Sequence, residues 1–298
     1  AGKTETFHSA VTYYKGMYRE LTSHGVELRV WTGDEWHWMH CRLYGKKLPE
    51  DGQLMSPSVV YEHPYTMLQV PVKEVVQDAS GLKERIAAER NVCGVQFGTK
   101  DVFAVASVLT ADGKEAAVRY FKGGNRYGDQ CRRVVEHIDK SHASHGENGK
   151  GPVNQRYWMQ IKHLNSHYAH QVSREIVEYC KAHEVGIIAF PKYAESYEKN
   201  VKKASGNYSA LHLSTRIREY LTYKAWQSGI LVIDINAKGL HENCAVCGAN
   251  IVSVDKKTQE CTCEAGHKTN RYLNIARNTA KRCLAQFQKK QKASETAG

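Results

Sequence analysis

The chain has 298 residues, 41% hydrophobic and 24% charged, enough apolar material for a real core and two or three structural units, which excludes a disordered polyelectrolyte. Lys and Arg outnumber Asp and Glu by 42 to 31, a net charge of +11 with a pI near 9.1; an extended polyanion suits that balance, against the plainer alternative of a protein that is merely basic. No apolar run reaches the roughly 18–20 residues that cross a bilayer, and the start AGKTETFHSA has no signal-like apolar stretch, so the expected setting is the cytoplasm, with no membrane contact.

Residues 1–80 read as strands. WHWMHCRL (36–43) alternates its side chains between two faces, and TMLQVPV (66–72) puts Leu68, Val70 and Val72 on one face. The turn-rich KKLPEDGQLMSPS separates them, and a small β-barrel is the economical fold. SGLKERIAAERN (80–91) reads as an amphipathic connector.

From Val92 the spacing predicts strands over 92–98, 102–109 and about 116–121, with TADG as a turn, and then helices. Ile161, Leu164, Tyr168, Val172, Ile176 and Tyr179 mark one face of a long helix from about Pro152 to His183. Its other faces carry Lys162, His163, His167, His170 and Arg174, which suit a phosphate backbone or simply water. VGIIAF (185–190) and ILVIDI (230–235) read as buried strands, flanking a helix that starts at a Ser214 N-cap and stops at Gly229. Three paired strands followed by helix, strand, helix, strand is the order of an RNase H-like α/β domain. The tail KKQKASETAG reads as disordered.

Of nine cysteines, Cys41, Cys93, Cys131, Cys180 and Cys283 are scattered as small core residues are, whereas Cys244, Cys247, Cys261 and Cys263 cluster. Cys244 and Cys247 form a C-x-x-C-G knuckle that presents two thiolates to one tetrahedral Zn²⁺; Cys261, Cys263 and His267 compete for the remaining places. The predicted ligand set is Cys244, Cys247, Cys261 and Cys263, with His267 in reserve. All positions are filled by protein, so the zinc is structural, and a redox role for the first pair is disfavoured by the second half-site.

The ordered segments IREYLTYKAWQSGILVIDI, the zinc ribbon and NRYLNIARN resemble the TnpB family and the similar compact type V CRISPR effectors, over roughly residues 36–288. The resemblance implies a wedge-type β-barrel (1–80), a RuvC-like RNase H-fold domain (81–240), an inserted zinc ribbon (241–269), a last RuvC helix (270–288) and a basic tail (289–298). It also implies three carboxylates holding two Mg²⁺ ions for phosphodiester cleavage. At the matching positions stand Gln96 in GVQFG, Phe190 in IIAFPK and Tyr272 in NRYLNIA, none of them an acid, so no Mg²⁺ is expected there and the chain reads as a nuclease-dead member rather than an enzyme. Asp101, Glu195 and Asp255 are nearby acids, none at a motif position, while Gly94, Gly98, Asn274 and Asn278 keep the flanking pattern.

What the resemblance implies is an RNA-guided protein of prokaryotic, nucleoid-associated setting that binds target double-stranded DNA through a guide RNA without cutting it, repressing transcription or serving as a targeting subunit. The alternatives are an active metal-dependent nuclease with displaced carboxylates and a guide-free zinc-ribbon nucleic-acid-binding factor. The helical recognition module usual in the family is missing from residues 1–80, which points to a segment of a longer protein, a second subunit or a homodimer; the absent leading Met points to a trimmed product. Candidate nucleic-acid contacts are Trp36, Trp38, His40 and Arg42 on one strand, with a core role for the tryptophans as the alternative. Lys192, Lys199, Lys202 and Lys203, interleaved with Tyr193 and Tyr197, join them, as do Lys268 and Arg271 beside the ribbon.

Overall fold

The computed structural model describes residues 10–50, 52–62, 65–73, 90–145 and 154–295. The connector expected at 80–91 lies almost wholly outside the described residues. The chain divides into two units, Ala1–Gln77 and Asp78–Gly298.

Among the described residues, the regular elements of the first unit are all β-strands. Its strands are β1 (Val11–Thr12), β2 (Tyr18–Arg19), β3 (Gly25–Trp31), β4 (Trp36–Arg42), β5 (Gln53–Leu54), β6 (Ser58–Glu62), β7 (Tyr65–Gln69) and β8 (Val72–Lys73). They pair in three small sheets, β1-β6-β7, β2-β3-β4 and β5-β8, and each pairing is antiparallel. The run expected as one strand over 66–72 is two strands in different sheets. Pro71, which has no N–H to give a ladder, separates them, and its carbonyl accepts from the Met55 N–H at 2.8 Å.

The second unit is α/β. Its strands β9 (Asn91–Phe97), β10 (Val102–Leu109), β11 (Glu115–Lys122), β12 (Val185–Lys192) and β13 (Leu231–Asn236) form one sheet in the order β11-β10-β9-β12-β13. β10 runs antiparallel to β9 and β11, and β12 runs parallel to β9 and β13. Helices α1 (Gly124–His145), α2 (Gln155–Ala182), α3 (Glu195–Ser205) and α4 (Ser214–Gln227) intervene, and α5 (Arg271–Glu295) closes the chain. The main core gathers Cys93, Val95, Phe103, Ile188 and Phe190 from one sheet face with Val172, Ile176, Ile217 and Leu221 from α2 and α4. The other face packs Val92, Ile187, Ala189 and Ile235 against Ala280 and Cys283 of α5.

Gly94 is what lets α5 lie on the sheet: a Cβ there would stand 2.0 Å from the Ala276 carbonyl oxygen and 2.7 Å from the Ala280 nitrogen. Two local readings need correction. Ser214 is the first residue of α4 rather than its cap; the cap position is Leu213, which has no side-chain acceptor. The last helix runs on to Glu295, so residues 289–295, expected as disordered tail, are helical. Gly229, at φ +69°, ends α4 as predicted.

Candidate metal centre and the expected acid positions

Between β13 and α5 the chain forms a three-stranded antiparallel ribbon, β14 (Ile251–Val254), β15 (Glu260–Cys263) and β16 (Lys268–Asn270). The knuckle before it folds back on itself, the Cys244 N–H bonding the Ala249 carbonyl at 2.7 Å and the Gly248 N–H bonding the Cys244 carbonyl at 2.9 Å. Gly248 sits at φ +79°, a conformation that favours glycine.

One ligand atom each from Cys244, Cys247, Cys263 and His267 lie within 4.8 Å of one another. This corrects the predicted set, because the fourth donor is His267 and not Cys261. Cys261, two residues before Cys263 on β15, contributes no atom to that cluster. Instead the chain reverses after Cys263, through the Gly266 N–H to Cys263 carbonyl bond of 2.8 Å, and brings His267 Nδ1 to 3.5 Å from Cys263 Sγ. Cys261 is buried opposite Thr269, and burial is the main cause that pushes its thiol above the ordinary value. The Cys244 thiol is held below its ordinary value: burial pushes it up, but backbone N–H groups of Cys247 and Val246 outweigh that. Three sulfurs and one imidazole at this spacing fit a closed structural Zn²⁺ site.

Helix α5 holds this knuckle from behind. Asn274 Oδ1 accepts the Ala245 N–H at 2.8 Å while its Nδ2 donates to the Asn243 carbonyl at 2.8 Å. Asn278 Nδ2 donates to the carbonyls of Leu240 and Asn243 at 2.9 and 2.8 Å, and Lys281 reaches the Ala245 carbonyl. Asn274 and Asn278, which follow Tyr272 in sequence, are therefore tethers of the knuckle. Nothing in their spacing alone assigns that role.

The three positions read as replaced acids do not converge. Gly94 pairs with Ala189 and faces α5, so by strand alternation Gln96 and Pro191 share that face, and Phe190 points to the other. Phe190 is 1% exposed, stacks on Phe97 with ring centroids 5.4 Å apart, and lies under the Arg218 guanidinium at 5.1 Å. It is a core residue; the residue that stands on the Gln96 side is Pro191.

Gln96 Oε1 accepts from the Tyr193 hydroxyl at 3.0 Å, and Gln96 Nε2 donates to the Phe97 carbonyl at 2.9 Å. Burial pushes the Tyr193 hydroxyl above its ordinary value, so it stays a neutral donor. Tyr272 is the second residue of α5, where Asn270 Oδ1 caps the N–H groups of Tyr272 and Leu273 at 3.0 and 3.3 Å, and its hydroxyl lies 2.6 Å from Thr99 Oγ1. The C-terminal end of β9, where a doubly wound sheet usually holds its ligand, thus carries an amide, phenols and a proline. The nearby acids are engaged elsewhere: Asp101 Oδ1 accepts the Asn125 N–H at 3.4 Å, Glu195 pairs with Lys199 at 2.7 Å, and Asp255 closes a turn on Lys257 and Thr258.

Of the expected nucleic-acid contacts, Trp36 and Trp38 are exposed rather than core, 48% and 38%, on β4 with His40 and Arg42. Lys199, Lys202 and Lys203 lie on α3, a helix with no buried residue; Lys202 Nζ bonds Thr215 Oγ1 at 2.5 Å. Lys192 ends β12, Lys268 is exposed on β16, and the Arg271 guanidinium lies 5.6 Å from the Tyr272 ring centre. Unforeseen in the sequence are Trp31, Arg19 and Arg29, which the strand register brings beside Trp36 and Trp38.

Fold and ribbon together define an α/β protein with a cysteine and histidine metal cluster set before its last helix, similar to the compact type V CRISPR effectors and their TnpB-like relatives. Residues 215–279 match the family described as the Cas12f1-like TNB domain, a span that takes in α4, β13, the ribbon and the start of α5. The structure is similar to Cas12f1 in its complex with sgRNA and target DNA (TM-score 0.50, 13% identity, 75% of this chain and 55% of that one). It is similar also to C2c1 of Alicyclobacillus acidoterrestris in complex with single-guide RNA (TM-score 0.55, 10% identity, 95% and 55%) and to Cas12f in a ternary complex (TM-score 0.50, 14% identity, 77% and 46%). The chain spans about half the length of these proteins. No curated protein matches it. No helix among the described residues is long and apolar enough to cross a membrane.

Proposed function

We propose that this chain is the core of a nuclease-dead, RNA-guided DNA-binding protein. What supports the proposal is that no acid stands at Gln96, Phe190 or Tyr272, the positions where the resemblance expects one, nor at Pro191 on the Gln96 side of the sheet, in a scaffold with Gly94 packed closely on α5 and a Cys3His cluster in the ribbon. The sheet order β11-β10-β9-β12-β13, with β10 alone reversed against its neighbours, supports a RuvC-like RNase H fold, and the β unit is read as wedge-like. Neutral amide and phenol groups are poor Mg²⁺ ligands, which prefer carboxylate and water oxygen. The zinc in this reading organises the ribbon and takes no part in chemistry.

A guide RNA pairs with one strand of target double-stranded DNA, and the basic surface holds the heteroduplex by its backbone without reading its sequence. Stable binding without cleavage blocks transcription at the paired site or delivers an associated subunit. The test is to sequence RNA that copurifies with the protein, then measure binding and Mg²⁺-dependent cutting of matching duplex DNA. One structured RNA species, guide-dependent binding and intact target support the proposal. Cutting abolished by Asp101→Ala or Glu195→Ala would establish the nuclease with displaced carboxylates, and equal binding with and without guide would establish the guide-free factor.

A further inference from the structure

The β2-β3-β4 sheet has two unlike faces. Val26 and Leu28 are buried on one. On the other, cross-strand pairing sets Trp31 beside Trp36, Arg29 beside Trp38, Glu27 beside His40, Gly25 beside Arg42, and Arg19 beside Glu27. Three tryptophans therefore share one face with three arginines and a histidine, against one carboxylate, Glu27, which pairs with Arg19. Trp31, Trp36 and Trp38 are 51%, 48% and 38% exposed. Such rings are normally withdrawn from water, and a contiguous exposed aromatic patch marks an interaction surface.

The arrangement within the patch favours nucleic acid over an apolar protein partner. The Arg19 guanidinium lies over Trp38 at 4.2 Å from the ring centre and that of Arg29 near Trp36 at 5.8 Å, so each ring already carries a planar cation. Trp31 meets Trp36 edge to face at 5.6 Å, leaving ring surface to solvent. Trp36 and Trp38 are one strand repeat apart, about 6.8 Å, twice the ~3.4 Å repeat of stacked nucleotides, so each ring can take its own base along one strand. Bases within a duplex have no free faces; unpaired ones do.

We infer that this face binds unpaired nucleotides of a single strand, with bases stacking on Trp31, Trp36 and Trp38 while Arg19, Arg29 and Arg42 take the phosphates. The inference rests on the nucleic-acid-binding reading above but assigns a place and a strand state that reading leaves open. Aromatic platforms of this kind tolerate any base, because every base offers a π face. The site therefore grips strands without selecting sequence.

The test uses the full chain, fluorescence anisotropy, and three probes: a labelled oligouridine, the matching oligothymidine, and a duplex of equal length. Trp36→Ala and Trp38→Ala each weaken binding of the unpaired probes about fivefold or more and leave the duplex unaffected, while Trp→Phe at either position retains most of the affinity. Met39→Ala, on the opposite face of β4, serves as the control and leaves binding unchanged. A stronger effect on oligouridine assigns the face to RNA and on oligothymidine to DNA, both supporting it. Alanine variants that bind unpaired strands like the parent, or that lose duplex binding equally, overturn it. If instead target binding proves independent of a guide while the tryptophan effect persists, the functional proposal fails and this one stands.

Discussion

Asn274→Ala should uncouple the metal knuckle from the last helix. Asn274 is 1% exposed, and it satisfies both the Ala245 N–H and the Asn243 carbonyl at 2.8 Å. Truncation strands the Ala245 N–H in a residue only 4% exposed, a loss of about 1–3 kcal/mol for an unsatisfied buried group. The Asn243 carbonyl keeps its bond from Asn278, so the second loss is an ordinary net hydrogen bond of about 1 kcal/mol. The sum is about 2–4 kcal/mol of global stability, with metal affinity falling roughly 10–100-fold as for other outer-shell partners. Urea unfolding read by tryptophan fluorescence gives the first quantity, and competition with a zinc-binding dye gives the second. A variant with the parental urea midpoint and parental zinc affinity would refute the tether, because both bonds converge on the residues between Asn243 and Ala245.

Other substitutions divide the remaining claims. His267→Ala and Cys263→Ser should each lower bound zinc below one equivalent by elemental analysis, whereas Cys261→Ser keeps it; zinc lost on Cys261→Ser and kept on His267→Ala would restore the four-cysteine site. Gly94→Ala places a methyl group against the α5 backbone, which neither a rotamer change nor a flexible side chain can relieve, so it should destabilise by about 3 kcal/mol or more in thermal unfolding. Arg277 hydrogen bonds hold the Glu115 carboxyl below its ordinary value of 4.5 despite partial burial, with Ser107 adding a further bond. A lowered folded-state value means the Arg277 bridge contributes fully above pH 4.5 and is lost as pH falls through the folded value. Glu115→Gln should therefore be less stable than the parent near neutrality and lose that difference on acidification, and a gap that is constant with pH would show that the charge plays no part.

What was legible in the sequence was whatever depends on short-range periodicity. The apolar runs at 92–97 and 185–190 and the helical stripe from Ile161 to Tyr179 emerge as β9, β12 and α2. Helix α3 was not legible because it buries nothing, so ESYEKNVKKAS has no apolar stripe to betray it. Helix α1 did leave a signal, in Tyr127, Cys131, Val134 and Ile138 at helical spacing on a buried face. The period of two in an extended strand sets Phe190 across the sheet from Gln96, while the place of His267 in the cluster depends on the chain reversal after Cys263, which ligand spacing alone does not display. The tryptophan and arginine face depends on the pairing of β2, β3 and β4, a register that a linear sequence does not display.

The same geometry ties the cysteine and histidine cluster to the packing of the α/β unit. The knuckle is bonded to α5 through Asn274, Asn278 and Lys281. Helix α5 in turn covers the sheet face that holds Val92, Ile187, Ala189 and Ile235, and its Arg277 reaches across to Glu115 of β11. If the cluster holds zinc, removing it would free the knuckle, and the helix would then lose polar anchors at one end while its apolar face still needs the sheet. A carboxylate at position 96 has no such structural dependents, since Gln96 bonds only the Tyr193 hydroxyl and the neighbouring Phe97 carbonyl. Exchange there leaves the core intact, whereas loss of a zinc ligand propagates through α5 into it. Chelation should accordingly lower the stability of the whole α/β unit, while Gln96→Asp should leave its unfolding midpoint close to that of the parent. A chelator that melted the ribbon alone, with no shift in the unfolding of β9 to β13, would sever that coupling.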